Sequence, residues 1–219
     1  MLLPFLFQKD AHPVKAPYVV LDFSATNPDL ATLDLTDTVT FTDYVFGKLR
    51  EAGAQVGVGG YNEHRVIYRR SAHFNTDEEP REIHLGIDFW AEAGTPVYAP
   101  LAGNVHSFQD NDHFGDYGPT IILEHTVDGK PLYSLYGHLT RSSLEGLSVG
   151  KRVEENEQIA EIGPYPENGD WPPHLHFQLM TDMLGNEGDF PGVCSVSDRA
   201  KFLAICPNPN DLLGIPGLS

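Results

Sequence analysis

The sequence predicts a mainly β protein built on an antiparallel sheet, with an N-terminal extension that carries one helix and a short helix near the C-terminus. Three observations point there. From Ile83 to Leu179, short apolar runs alternate with turn residues. Asp128-Gly129 stands between two such runs and is the dipeptide of a two-residue hairpin turn. The chain of 219 residues is punctuated by 21 glycines and 17 prolines, while a hydrophobic share of 41% suffices for a folded core. That length suits a single core with an elaborated N-terminus.

Residues 1–54 read as an extension packing on the core. A strand is expected at "YVVLDF", then a helix in which Phe41, Tyr44, Val45 and Leu49 recur at helical spacing. Thr40 with Asp43 resembles a capping box, and Gly53 supplies the stop. Residues 55–206 form the β domain. A glycine-dense strand leads into the polar loop "SAHFNTDEEPRE", followed by strands at "IHLGIDFW", "TPVYAP", "GNVHSF", "PTIILEHTV", "KPLYSLYGHL", "QIAEIG" and "HLHFQLM". Ser197 can cap a short helix through "DRAKFLAIC", which Pro207 ends, and residues 207–219 are expected to run as an extended tail.

Composition narrows the partners. A formal charge of -17 with only 14 Lys and Arg would repel a phosphate backbone or an anionic bilayer, so neither nucleic acid nor membrane is expected. The opening "MLLPFLF" lacks both a basic flank and a small-residue cleavage site, and reads as no signal peptide. Cys194 and Cys206 lack metal-type spacing and read as buried free thiols. Together these favour a cytoplasmic location, with the periplasm or exterior as the alternative.

Chemistry concentrates in three segments. In a strand over "HLHFQLM", His174, His176 and Gln178 share one face while Leu175, Phe177 and Leu179 share the other. In "IHLGIDFW", read as one strand, His84, Gly86 and Asp88 share a face, and Gly86 removes a side chain where an ion would need room. In "YSLYGHLT", Ser134, Tyr136 and His138 alternate on one face. Catalytic zinc takes three His or carboxylate ligands and keeps one position open. His84 and Asp88 with one of His174 and His176 would supply that count, leaving the other histidine beside the open position.

"HLGIDFWAEAGTPVYAPLAGNV", "LYGHL", "VGKRVEENEQIAEIG" and "PPHLHFQL" resemble, in order and spacing, the motifs of the lysostaphin-type zinc endopeptidases across roughly residues 83–180. The resemblance implies an antiparallel β-sheet/barrel-sandwich hybrid core of the duplicated hybrid motif kind, one Zn2+ ion, and hydrolysis of a peptide bond by zinc-activated water. Its substrate would be a short or glycine-containing peptide or a peptidoglycan cross-link. It implies His84, Asp88 and His176 as metal ligands and His138 and His174 as catalytic histidines, His174 as the base and His138 as the stabiliser, or those roles exchanged. The family pattern carries an acidic residue where this chain has Gln178, and glycine where it has Trp171-Pro172-Pro173. A further resemblance, over roughly residues 55–216, is to the variant fused between phosphotransferase and aminotransferase domains. It rests on "GYNEHRVIY", "SFQDND", "GDWPPHLHFQLMTDMLG", "DFPGVC" and "PNPNDLLGIP", and implies an association with such domains.

Weaker candidates complete the reading. Arg65 and Asn62 could reach a substrate, although a basic loop such as Arg65, Arg69, Arg70 and Arg81 is ordinarily ion-paired and a Gly-Tyr-Asn-Glu turn is ordinarily only a turn. Tyr136 could line the pocket. The alternative to a peptidase is a non-catalytic or phosphohistidine-type carrier on the same scaffold. Asp88 argues against it, since a carboxylate facing the histidines would repel phosphate.

Overall fold

A computed structural model of the chain describes residues 17–71, 74 and 79–218. The expectations for "MLLPFLF" and for half of "SAHFNTDEEPRE" fall outside these residues. In chain order the elements are β1 (Tyr18–Leu21), α1 (Thr38–Ala52), β2 (Val56–Gly59), β3 (Arg81–His84), β4 (Ile87–Trp90), β5 (Pro96–Tyr98), β6 (Gly103–Asn111) and β7 (Gly118–Val127). They continue with β8 (Lys130–Gly137), β9 (Arg152–Val153), β10 (Gln158–Glu161), β11 (His174–Met180), β12 (Val193–Ser195), α2 (Arg199–Leu203) and α3 (Asn210–Leu213).

Eight strands form one sheet in the order β1-β2-β4-β11-β8-β7-β6-β9, antiparallel throughout except for the parallel β1–β2 pair. Two-stranded ribbons β5–β10 and β3–β12 flank it, and no closed barrel occurs among the described residues. Asp128 and Gly129, at φ 50° and 74°, turn β7 into β8 in the left-handed conformation that a two-residue hairpin needs.

The central strand, β11, separates two environments. Leu175, Phe177 and Leu179 point into the main core with Ile87, Phe89, Ile121 and Tyr136. His174, His176 and Gln178 point the other way and are also buried. Helix α1 covers the β1–β2–β4 end: Phe41, Val45 and Leu49 pack with Phe23, Trp90 and Trp171, each contributing about 1.5–3 kcal/mol by burial.

Four local expectations are corrected. Helix α1 begins at Thr38, because the Asp37 side chain accepts from the N–H groups of Val39 and Thr40 and so caps it before Thr40 can. "IHLGIDFW" is not one strand: it bends at Leu85-Gly86, sending β3 to pair with β12 and β4 to pair with β11 and β2. Residues 207–219 do not simply run extended. Asn210–Leu213 make a helical turn, and Leu213 and Ile215 are buried in the main core. Near them, α2 starts after Asp198, while the Ser197 hydroxyl pairs with Glu79 and Ser195 instead of capping the helix.

Candidate metal centre

Cross-strand register builds the site. His176 lies directly opposite Asp88 on β4 and Gly137 on β8, and His174 lies opposite Trp90. His84 arrives from the end of β3, where its N–H donates to the Glu63 carbonyl (3.0 Å) and its own carbonyl accepts from Asn62 N–H (2.8 Å). The bend at Gly86 makes the approach feasible. A Cβ there would lie 2.7 Å from His176 Cε1 and 2.7 Å from the Phe177 carbonyl oxygen.

Three ligand-type atoms converge. His84 Nε2 is 3.0 Å from His176 Nδ1, and Asp88 Oδ1 is 3.2 Å from the first and 3.1 Å from the second. All three residues are buried. Hydrogen bonds assign the tautomers: His84 Nδ1–H donates to the Gly60 carbonyl (2.8 Å), and His176 Nε2–H donates to Gln178 Oε1 (3.0 Å). Each ring therefore turns a lone pair toward the cluster, beside a carboxylate oxygen. Three acceptors facing one another in a buried site repel unless a cation lies between them. Bond lengths of about 2.0–2.1 Å at a tetrahedral zinc correspond to ligand–ligand edges of about 3.3–3.4 Å, close to the edges found here. The donor set and its spacing fit zinc.

Gln178 stands where the family resemblance implies an acid, and it offers His176 an acceptor oxygen there. Its Nε2 donates to the Pro191 carbonyl (3.1 Å), which fixes the amide so that Oε1 faces His176. The sequence shows the substitution but not the distant carbonyl that makes it serviceable.

His138 and His174 stand beside the cluster with ring centroids 4.1 Å apart, and His174 stacks on Trp90 at 4.0 Å. His138 Nδ1–H donates to the Asn168 carbonyl and His174 Nδ1–H to the Pro172 carbonyl, each at 2.8 Å, which leaves both Nε2 atoms as acceptors. His138 reaches this face by a route that alternation missed. Its φ of 63° breaks the alternation at the end of β8, so His138 does not share a face with Ser134 and Tyr136. Tyr136 is consequently a core residue packed against Phe177, with its hydroxyl bonded to Ser134.

A cavity of about 120 Å³ opens on the site. Asp88, His138, His174 and His176 line it together with Tyr68, Trp90, Tyr117 and Trp171, and Arg81, Asp116 and Asp189 supply charge. Tyr117, which sequence reading passed over, sits between His138 and His176 at ring distances of 5.6 and 5.1 Å. Arg65 and Asn62 do not line the cavity. Arg65 is fully buried against Asp88, and Asn62 Oδ1 accepts from Arg199 Nε (2.8 Å) on an exposed surface. Arg69 pairs with Glu82.

Burial dominates the titration of three histidines of the site. It pushes His84 and His174 down to about 4, with Arg65 adding to the effect at His84 and Asp88 opposing it at both. Burial, reinforced by His174, holds His138 well below the usual imidazole range. An unfolded histidine titrates near 6.5, so between about 6.5 and 4 the unfolded chain binds more protons than the folded one. Stability of the metal-free protein should therefore be full above about 6.5 and fall as the pH drops towards 4. Urea midpoints measured at pH 7, 5.5 and 4.5 and constant ionic strength should decrease in that order; a flat series would contradict neutral burial of these rings.

A His/Asp/His cluster beside a cleft lined by two acceptor histidines could hold a metal ion, as the centres of metal-dependent hydrolases do. Residues 82–187 match the profile of peptidase family M23. That segment is an M23 peptidase domain.

Relatives include a DD-carboxypeptidase/endopeptidase of Neisseria meningitidis, 32% identical over 126 residues, covering 55% of this chain and 26% of that protein. An L-Ala–D-Glu endopeptidase of Bacillus subtilis is 30% identical over 115 residues, covering 50% and 33%. The chain thus spans between about a fifth and a third of the length of the curated relatives it matches. Among solved structures, the catalytic domain of lysostaphin from Staphylococcus simulans is 25% identical, covering 61% of this chain and 81% of that one, with a TM-score of 0.43.

Proposed function

We propose that this chain is a zinc-dependent peptidase in which His84, Asp88 and His176 hold one ion and His138 and His174 handle protons. The observation that carries the reading is the triangle of mutually facing acceptors opening onto a cavity that also holds two acceptor imidazoles. Zinc there would supply Lewis acidity, activating water and polarising the scissile carbonyl.

The residues divide the remaining work. The proton given up by the attacking water goes to His174 Nε2, whose Nδ1–H is already committed to Pro172. The surroundings of the two rings support His174 over His138 as its acceptor. A charge on His174 disfavours a second one on His138, whose ring is 4.1 Å away. The face of Trp90 favours the same cation. His174 then returns the proton to the leaving amine, and His138 orients the reacting groups across the cleft.

Peptides of the peptidoglycan cross-link kind are the first substrate class, given the activities named for the relatives. Short intracellular peptides are the second, through the resemblance to domains fused with aminotransferases and phosphotransferases. The match to a peptidase family gives no support to the phosphohistidine carrier alternative. No helix among the described residues is long and apolar enough to cross a membrane.

Metal analysis of the purified protein, followed by hydrolysis of a panel holding both peptide classes, tests the reading. One zinc per chain is expected, with turnover lost to a chelator and restored by zinc. His174→Ala should lower kcat by about 10²–10⁴ with metal content retained, the range of general-base catalysis. Absence of stoichiometric zinc would refute the metal centre; unchanged turnover in His174→Ala would refute only the proton assignment.

A further inference from the structure

Arg65 lies outside the segment 82–187 that matches the family profile, yet its side chain is fully buried against the candidate metal ligand Asp88. The two oxygens of Asp88 are used differently. Oδ1 faces His84 Nε2 and His176 Nδ1, while Oδ2 accepts from Arg65 Nη1.

The arginine is itself held on every side. Its Nε donates to Glu63 Oε2 (2.6 Å), Nη1 also donates to the Tyr68 hydroxyl (3.2 Å), and Nη2 donates to the Gly60 carbonyl (3.3 Å). That same Gly60 carbonyl accepts from His84 Nδ1. Glu63 is anchored in turn, since its Oε1 accepts from the Phe23 N–H (3.1 Å) and its carbonyl from the His84 N–H (3.0 Å). Gly59, paired with Asp88 across β2–β4, leaves the space; a Cβ there would fall 2.5 Å from Arg65 Nη2.

We infer that Arg65 is a positioning residue that reserves Asp88 Oδ2, so that Asp88 serves a bound ion through Oδ1 alone, and that residues 59–65, tied to the N-terminal extension through Phe23, form part of the metal centre. This rests on the reading of the cluster as a metal centre. A free carboxylate can ligate through one oxygen or two, and a charge-assisted bond from a buried guanidinium removes the second choice. The planar fork matters as well as the charge, because lysine presents a point charge that cannot hold Asp88, Glu63 and Gly60 together.

The test uses the full chain as wild type, Arg65→Lys and Arg65→Met, loaded with zinc or cobalt(II). X-ray absorption of the zinc-loaded wild type should show single-oxygen carboxylate ligation. Both variants should keep one metal per folded chain, but bind zinc about 10–100-fold more weakly in chelator competition, as outer-shell losses do. Their cobalt(II) visible bands should weaken as a second carboxylate oxygen raises the coordination number.

A purely structural arginine would lower the unfolding temperature and leave the spectrum and zinc affinity of the folded fraction unchanged, which would overturn the inference. Two-oxygen ligation in the wild type would overturn it even if neither variant folds. Failure of the wild type to take up zinc or cobalt would instead remove the metal reading itself and this inference with it.

Discussion

His84→Ala is expected to abolish stoichiometric zinc binding and to lower kcat/KM by about 10³ or more. The estimate follows from several kcal/mol of transition-state charge stabilisation at a Lewis-acidic metal, with each 1.36 kcal/mol worth a factor of ten. The variant should nevertheless fold. Removing His84 takes away a neutral imidazole and its bond to Gly60, but it leaves Asp88 paired with Arg65 and Arg65 paired with Glu63. No buried charge is orphaned.

Asp88→Ala removes the same ion with a different stability cost. Arg65 would lose a partner while remaining buried, and breaking a buried pair from one side costs about 3–5 kcal/mol. Metal content and urea denaturation of the two variants should therefore agree on the first quantity and diverge on the second. Equal stability would show that Arg65 is satisfied without Asp88. Retained zinc in His84→Ala would remove His84 from the ligand set.

The parts of this design that were legible in the sequence are those fixed by local periodicity. "HLHFQLM" reads as a strand with histidines on one face, and β11 spans His174–Met180 with that division between cavity and core. Asp128-Gly129 specifies its turn because few other dipeptides accept two successive positive φ values. What escaped reading depends on partners distant in sequence. The split of "IHLGIDFW" is decided by which strands remain available to β3 and β4, and an alternating pattern carries no such information. His138 departs from alternation by a single dihedral angle. Arg65 looks like one basic residue of a polar segment until Asp88 is seen to be buried, because the need for a counter-charge arises only on folding. Gln178 looks like a lost acid until the Pro191 carbonyl orients it.

Gly86→Ala tests the tightest fit in the site. Gly86 does not have a positive φ, so alanine meets no backbone penalty there and the cost is steric. The added methyl would meet His176 Cε1 at 2.7 Å and Nε2 at 2.8 Å, and the Phe177 carbonyl oxygen at 2.7 Å. The carbonyl belongs to the central strand of the sheet, held between β4 and β8, and cannot withdraw without distorting that pairing. The imidazole would have to move, and its Nδ1 would then leave the triangle with His84 and Asp88.

Overpacking of this kind costs about 1–3 kcal/mol, equivalent to roughly 2–12 °C in Tm at a chain length near 200 residues. Zinc affinity should fall with it, because the displaced ring is a ligand. Gly47→Ala is the matching control. In the middle of α1 its Cβ would approach only Arg50 Nη2, at 3.8 Å. Helix propensity predicts a gain of up to about 1 kcal/mol there, with metal affinity unchanged. Equal zinc affinity in Gly86→Ala and wild type would mean that His176 can shift without leaving the ion, and the close approach at Gly86 would then be a packing feature alone.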